Sequence, residues 1–223
     1  MIYRFPLHII KDMLLNQVSN NFFKSIEDER LITKYMERAL ERFEKNIEHN
    51  DNKYYYVINE KGEREAYFNP LHTCQWTLFL YLMANTIYKY EDEKKEAARV
   101  VCDKIYGYSK MVSGCELYYE VEMPEVFSFD HPLGSHMGRA KYSDGFSFVQ
   151  GCTVDNEGST YPTIGKNVKM LTGSQILGNS HIGDNCVICE GTIIINQDVP
   201  ANTIVSGISP KLIVRENGTE ENL

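Results

Sequence analysis

The chain has 223 residues, 43% hydrophobic and 24% charged, the balance of a water-soluble chain with room for one large domain or two small ones. Its formal net charge of −8 disfavours nucleic acid and anionic membranes as partners. No apolar run approaches the roughly 20 residues that span a bilayer.

The opening segment, residues 1–15, carries a short apolar stretch with no small-residue cleavage site behind it. It reads as helix or strand rather than as an export signal. Residues 26–48 place Ile32, Met36, Leu40 and Phe43 at helical spacing. Residues 53–68 have β-rich arms around Asn59-Glu60-Lys61-Gly62, a turn signal that predicts a small hairpin. A second helix is predicted over 71–91, with Trp76, Leu80, Met83 and Ile87 on one stripe. A third is predicted over 92–110, carrying Ala97, Val100, Val101, Ile105 and Tyr106. His72 opens the second helix and reads as structural. These stripes are core patterns and carry no chemistry of their own.

The rhythm changes after residue 112. Large apolar residues recur every six positions at Ile164, Met170, Ile176, Ile182, Ile188 and Ile194. Four positions after the first five stand Val168, Ser174, Ser180, Cys186 and Thr192, mostly small. The same beat runs earlier through Tyr142, Phe148 and Val154, and through Leu117, Met123 and Phe129. A period of six fits neither an α-helix nor an amphipathic strand. It fits a triangular coil with one hexapeptide per side, the large residue inward and the small one at the corner. Stacked coils bury one continuous apolar column.

The predicted fold class is therefore α+β. A mainly helical domain over 1–112 is followed by a left-handed parallel β-helix over 113–214 and a flexible tail over 215–223. The beat breaks at 155–163, where the chain must leave the triangle as an external loop, the kind of place where function concentrates. Cys186 and Cys189 form a C-x-x-C pair. With no second pair beside it, this reads as two repeat positions rather than a metal or redox site. Reduced thiols without an export signal predict a cytoplasmic protein.

Several stretches of the second half resemble the serine O-acetyltransferase family of hexapeptide-repeat acyltransferases. Asp130-His131-Pro132-Leu133-Gly134-Ser135-His136-Met137-Gly138 resembles the family segment D-H-x-x-G-x-x-x-G. Cys115-Glu116-Leu117 matches the family's acidic residue upstream. Phe148–Val154, Gln175–Asn179 and Gly207–Ile213 are similar to I-L-Q-x-x-T-L, K-I-L-G-N and G-V-P-A-R-I-V. The matching covers about residues 115–214 and is only architectural over the helical half.

The resemblance implies direct acetyl transfer from acetyl-CoA to an acceptor hydroxyl, L-serine in the family. His131 would be the general base, Glu116 its orienting carboxylate, and Asp130 would face the acceptor pocket. Histidine suits this work because its proton exchanges near neutral pH. Acetyl-CoA would lie along the coils between subunits of a homotrimer, or of a dimer of trimers. Gly173 and Gly191 would admit its arm, and Lys211 would meet a phosphate. No metal is implied.

The chain also departs from the family. The family's loop ends in Arg-His-Pro, whereas Thr160-Tyr161-Pro162 stands here, so the cation that pairs with an amino-acid carboxylate is missing. Thr160 and Tyr161 remain the candidate acceptor residues. Asp155-Asn156 replaces a Gly-Gly start. These changes leave open a sugar or nucleotide-sugar hydroxyl as the acceptor. A zinc-dependent carbonic anhydrase on the same fold would use three histidines, and His131, His136 and His181 come nearest to that set, in the wrong order. A catalytically dead scaffold would lack the base, and His131 is present.

Overall fold

The computed structural model describes residues 1–48, 50–92 and 94–218. The chain divides into two compact units, one over Met1–Ser113 and one from Gly114 onward. Among the described residues, no helix is long and apolar enough to cross a membrane.

The first unit holds β1 (Ile2–Tyr3), α1 (Leu7–Asn21), α2 (Ile26–Ile47), β2 (Tyr56–Ile58), β3 (Arg64–Phe68), α3 (Thr73–Tyr90) and α4 (Lys95–Ser113). Strand and helix share the opening segment, because Pro6 sets off α1 from β1. β1 runs parallel to β3, and β2 pairs antiparallel with β3. Helix α2 begins in a capping box. The Ser25 hydroxyl accepts from the Asp28 amide at 3.3 Å, and the Asp28 carboxylate accepts from the Ser25 amide at 2.8 Å. Its stripe Ile32, Met36, Leu40 and Phe43 is buried.

Helix α3 is buried from Gln75 to Ile87, so it forms the centre of this unit. His72 caps it, its ring nitrogen accepting from the Gln75 amide at 3.4 Å. Trp76 stacks with Phe68 and Phe79, and Phe43 completes the aromatic cluster tilted against Phe68 and edge-on to Phe79. In α4 the buried residues are Ala98, Val101, Cys102, Lys104, Ile105, Tyr108, Ser109 and Ser113, whereas Val100 is exposed. The buried stripe thus lies one position on from Ala97 and Val100. Lys104 explains the shift: its ammonium is drawn inward to Asp28 at 2.6 Å, with both side chains almost fully buried. A hydropathy pattern does not anticipate a buried cation.

The second unit is a left-handed parallel β-helix. One face stacks β4 (Glu116–Leu117), β6 (His136–Met137), β8 (Thr153–Asp155), β11 (Gln175–Leu177) and β14 (Ile193–Ile195). A second stacks β5 (Phe127–Phe129), β7 (Phe146–Phe148), β10 (Lys169–Met170), β13 (Val187–Ile188) and β15 (Thr203–Ile208). The third carries β9 (Thr163–Ile164) and β12 (His181–Ile182). Successive members of the beat fall on successive faces: Ile164 on the third, Met170 on the second, Ile176 on the first, and then round again. All six from Ile164 to Ile194 are buried, as are Val168, Ser174, Ser180, Cys186 and Thr192.

The corners explain the residues between the strands. One carries Asn167, Asn185 and Asn202, each at positive φ. Their side-chain amides form a ladder, Asn167 to Asn185 at 3.0 Å and Asn185 to Asn202 at 2.9 Å. Asparagine tolerates this backbone and satisfies its neighbour as well. The helix closes where β15 pairs both β13 and β14 and so turns from the second face to the first. β16 (Lys211–Glu216) then lies antiparallel on β15. This hairpin takes in Arg215 and Glu216, positions expected in the tail. Residues 219–223 of that tail lie outside the described residues.

Candidate functional site

The edge between the second and first faces is lined by glycines. Gly134, Gly151, Gly173, Gly191 and Gly207 follow one another down it, all at positive φ. A side chain on Gly151 would come within 3.6 Å of the Gly173 α-carbon, so the coils stack backbone on backbone here. Beyond Gly191 nothing lies within 4 Å of such a side chain. The edge therefore presents bare peptide to whatever lies alongside.

His131 stands at the start of this edge, in the turn from β5 to β6. Its φ is 49°, a region that few side-chain-bearing residues occupy. The turn is fixed by the Leu133 amide donating to the His131 carbonyl at 2.8 Å and the Ser135 amide to the Pro132 carbonyl at 3.0 Å. The imidazole is exposed. Asp130 precedes it, its amide bonded to the Phe148 carbonyl at 3.2 Å. Lys211 begins β16 opposite Ile208, the residue through which β15 pairs with Ile193. It stands near the last glycine. Four coil spacings separate Gly134 from Gly207, on the order of 19 Å at about 4.8 Å each.

The external loop leaves the other end of the first face, after β8. It is a tight hairpin in which Glu157 and Thr160 exchange backbone hydrogen bonds at 3.2 Å. The Thr160 hydroxyl donates to the Glu157 carbonyl at 2.8 Å. The Glu157 carboxylate accepts from the Asn196 amide. Thr160 and Tyr161 are exposed. Within one chain they stand at a different corner from His131.

Glu116, the expected orienting carboxylate of His131, lies against a different histidine. It stands in register with His136, and its Oε2 lies 3.7 Å from the His136 Nδ1. The Nε2 of the same ring lies 3.7 Å from Asp155 Oδ2. The pairing of His136 with Asp155 is not visible in the local sequence. Their meeting depends on the lengths of the intervening coils, which local pattern does not give. The three histidines considered for zinc do not converge. His181 lies on the third face, 2.9 Å from Asp198. Cys186 is buried with its thiol toward the Pro200 carbonyl, while burial pushes the Cys189 thiol up. Both are free thiols.

Comparison with known proteins places these features in context. Residues 161–196 match the model of the bacterial transferase hexapeptide family, six repeats. A serine acetyltransferase of Staphylococcus epidermidis is 31% identical over 143 residues, covering 62% of this chain and 63% of that protein. The chain thus spans less than two thirds of that relative's length. The crystal structure of a serine acetyltransferase from Neisseria gonorrhoeae superposes with a TM-score of 0.68 at 18% identity, covering 94% of this chain and 81% of that one. A serine acetyltransferase in complex with CoA superposes with a TM-score of 0.67 at 16% identity, over 92% and 83%. The fold is that of these enzymes, and the sequence resemblance to serine acetyltransferases extends to curated relatives.

Proposed function

We propose that this chain is an acetyl-CoA-dependent O-acetyltransferase of the serine acetyltransferase type. The observation that carries the reading is His131, exposed in a left-handed turn at the head of a bare glycine edge, on a fold whose relatives are serine acetyltransferases. A structural neighbour holds CoA. The edge fits such a donor: Gly173 and Gly191 offer backbone without side chains, and Lys211 offers a cation for a phosphate near its far end. The co-substrate supplies a thioester carbonyl.

His131 takes the proton of the acceptor hydroxyl as that oxygen attacks the thioester carbonyl. The carbon–sulfur bond then breaks, and the proton passes to the departing thiolate. A positioned base of this kind contributes roughly 10²- to 10⁴-fold. Asp130, next to the base, faces the acceptor. Glu116, the carboxylate expected to orient the base, also stands 3.7 Å from the His136 ring.

Thr160 and Tyr161 contact the acceptor in this reading. They lie at the far corner of the first face from His131, so a second copy would bring its loop to the base. That requirement supports a homotrimer with its sites between subunits. The acceptor is L-serine, as for the relatives' named activity. The missing loop cation favours a second reading, a sugar or nucleotide-sugar hydroxyl. Free-CoA release from acetyl-CoA, measured with L-serine and separately with a sugar panel, decides. Serine-dependent release supports the first reading, and sugar-dependent release alone supports the second. No acceptor-dependent release with either would overturn the acetyltransferase proposal.

A further inference from the structure

His136 lies off the proposed proton path, yet it sits in a cluster that the fold builds with care. The Glu116 carboxylate stands on one ring nitrogen and the Asp155 carboxylate on the other, each at 3.7 Å. The two carboxylates come from the coils on either side, because Glu116, His136 and Thr153 are in register across β4, β6 and β8. Asp155 is the last residue of β8 and the base of the external loop.

A second observation points to the same contact. A side chain at Gly138 would meet the Val154 carbonyl oxygen at 2.6 Å, Asp155 Oδ1 at 3.0 Å and His136 Nε2 at 3.2 Å. Glycine at 138 therefore leaves the space in which the ring and the loop-base carboxylate approach each other. On the later-coil side the loop is held by the Glu157 carboxylate on the Asn196 amide and by the Gly178 amide donating to the Asp155 carbonyl at 3.0 Å. The Asp155 carboxylate also organises the hairpin directly, accepting from the Asn156 amide at 2.8 Å.

We infer that His136 is a positioning residue for the acceptor loop: bridging Glu116 and Asp155, it fixes the base of the hairpin that carries Thr160 and Tyr161. This rests on the reading above that the loop contacts the acceptor. The charges agree with such a bridge. The ring stands between two carboxylates that would otherwise face each other and repel. Removing the ring leaves Asp155 facing Glu116 with no intermediary, and the loop loses its tether to the preceding coil.

The test uses the full chain with His136→Gln, and Gly138→Ala as an independent wedge into the same contact. Hydrogen exchange over residues 155–162 reads the loop without reference to activity. Faster exchange there in both variants, with the coil strands unchanged, is the expected result. Unchanged loop exchange in His136→Gln would overturn the inference. Kinetics then read the consequence: a several-fold rise in KM for the acceptor, with the KM for acetyl-CoA and kcat near wild type. A loosened loop without any change in acceptor KM would leave the tether standing and sink the acceptor role of the loop. A fall in kcat alone would move His136 from positioning to chemistry and overturn the assignment.

Discussion

Ile176 gives the sharpest test of the coil register. It is fully buried and stands between Val154 and Ile194 on the first face. Ile176→Ala removes three carbon groups, worth about 2.4 kcal/mol at about 0.8 kcal/mol each. The backbone above and below is held by ladder hydrogen bonds, so the site collapses little and a cavity term adds to that loss. The total falls in the range of roughly 2–5 kcal/mol for such truncations. Gln175, one residue earlier, points outward, and Gln175→Ala should cost under about 0.5 kcal/mol. Urea unfolding followed by circular dichroism reads both. Equal midpoints for the two variants would refute the inward assignment of Ile176. A normally stable Ile176→Asp, which would bury an unpaired charge, would refute it more strongly.

Breaking the buried pair with Lys104→Met should destabilise the helical unit by about 3–5 kcal/mol, because Asp28 is left charged and enclosed. Adding Asp28→Leu should recover part of that loss, less about 1 kcal/mol for the capping bond to Ser25, and denaturation of the single and double variants checks it. Asn185→Ala should cost about 1–2 kcal/mol through its left-handed backbone and lost ladder bonds. Asn185→Gly should cost less, and the order of their melting temperatures tests this. Burial pushes the Cys102 thiol up to about 12. It is therefore a neutral thiol through ordinary pH, and a thiol reagent at about pH 8 should modify it only after unfolding. Modification in the native protein at the rate of a free thiol would contradict the burial.

The fold was legible because its signal is repetitive. Each inward hexad position is under the same demand, so Ile164 through Ile194 announce the coil together. The single stripe of α4 is less redundant: Val101 and Ile105 are buried as expected, while Ala98 and Lys104 are buried where Ala97 and Val100 were expected. The candidate site was legible where it is local: His131 sits beside Asp130 and ahead of Gly134 in one short motif. The contact of Glu116 with His136 was not, since it joins different coils. It follows from register, which is set by how many residues each turn spends on its corners. The glycine edge was half legible. Gly173 and Gly191 stood out from the sequence, but Gly134, Gly151 and Gly207 align with them only once the coils are stacked.

The central claim is acetyl transfer with His131 as base, and its most direct test is steady-state CoA release with L-serine for wild type and His131→Ala. The account predicts a fall of at least about 10²-fold in kcat in a chain that remains folded, because the ring is exposed and alanine meets only the left-handed backbone of the turn. Turnover at the wild-type level in a folded His131→Ala would contradict it.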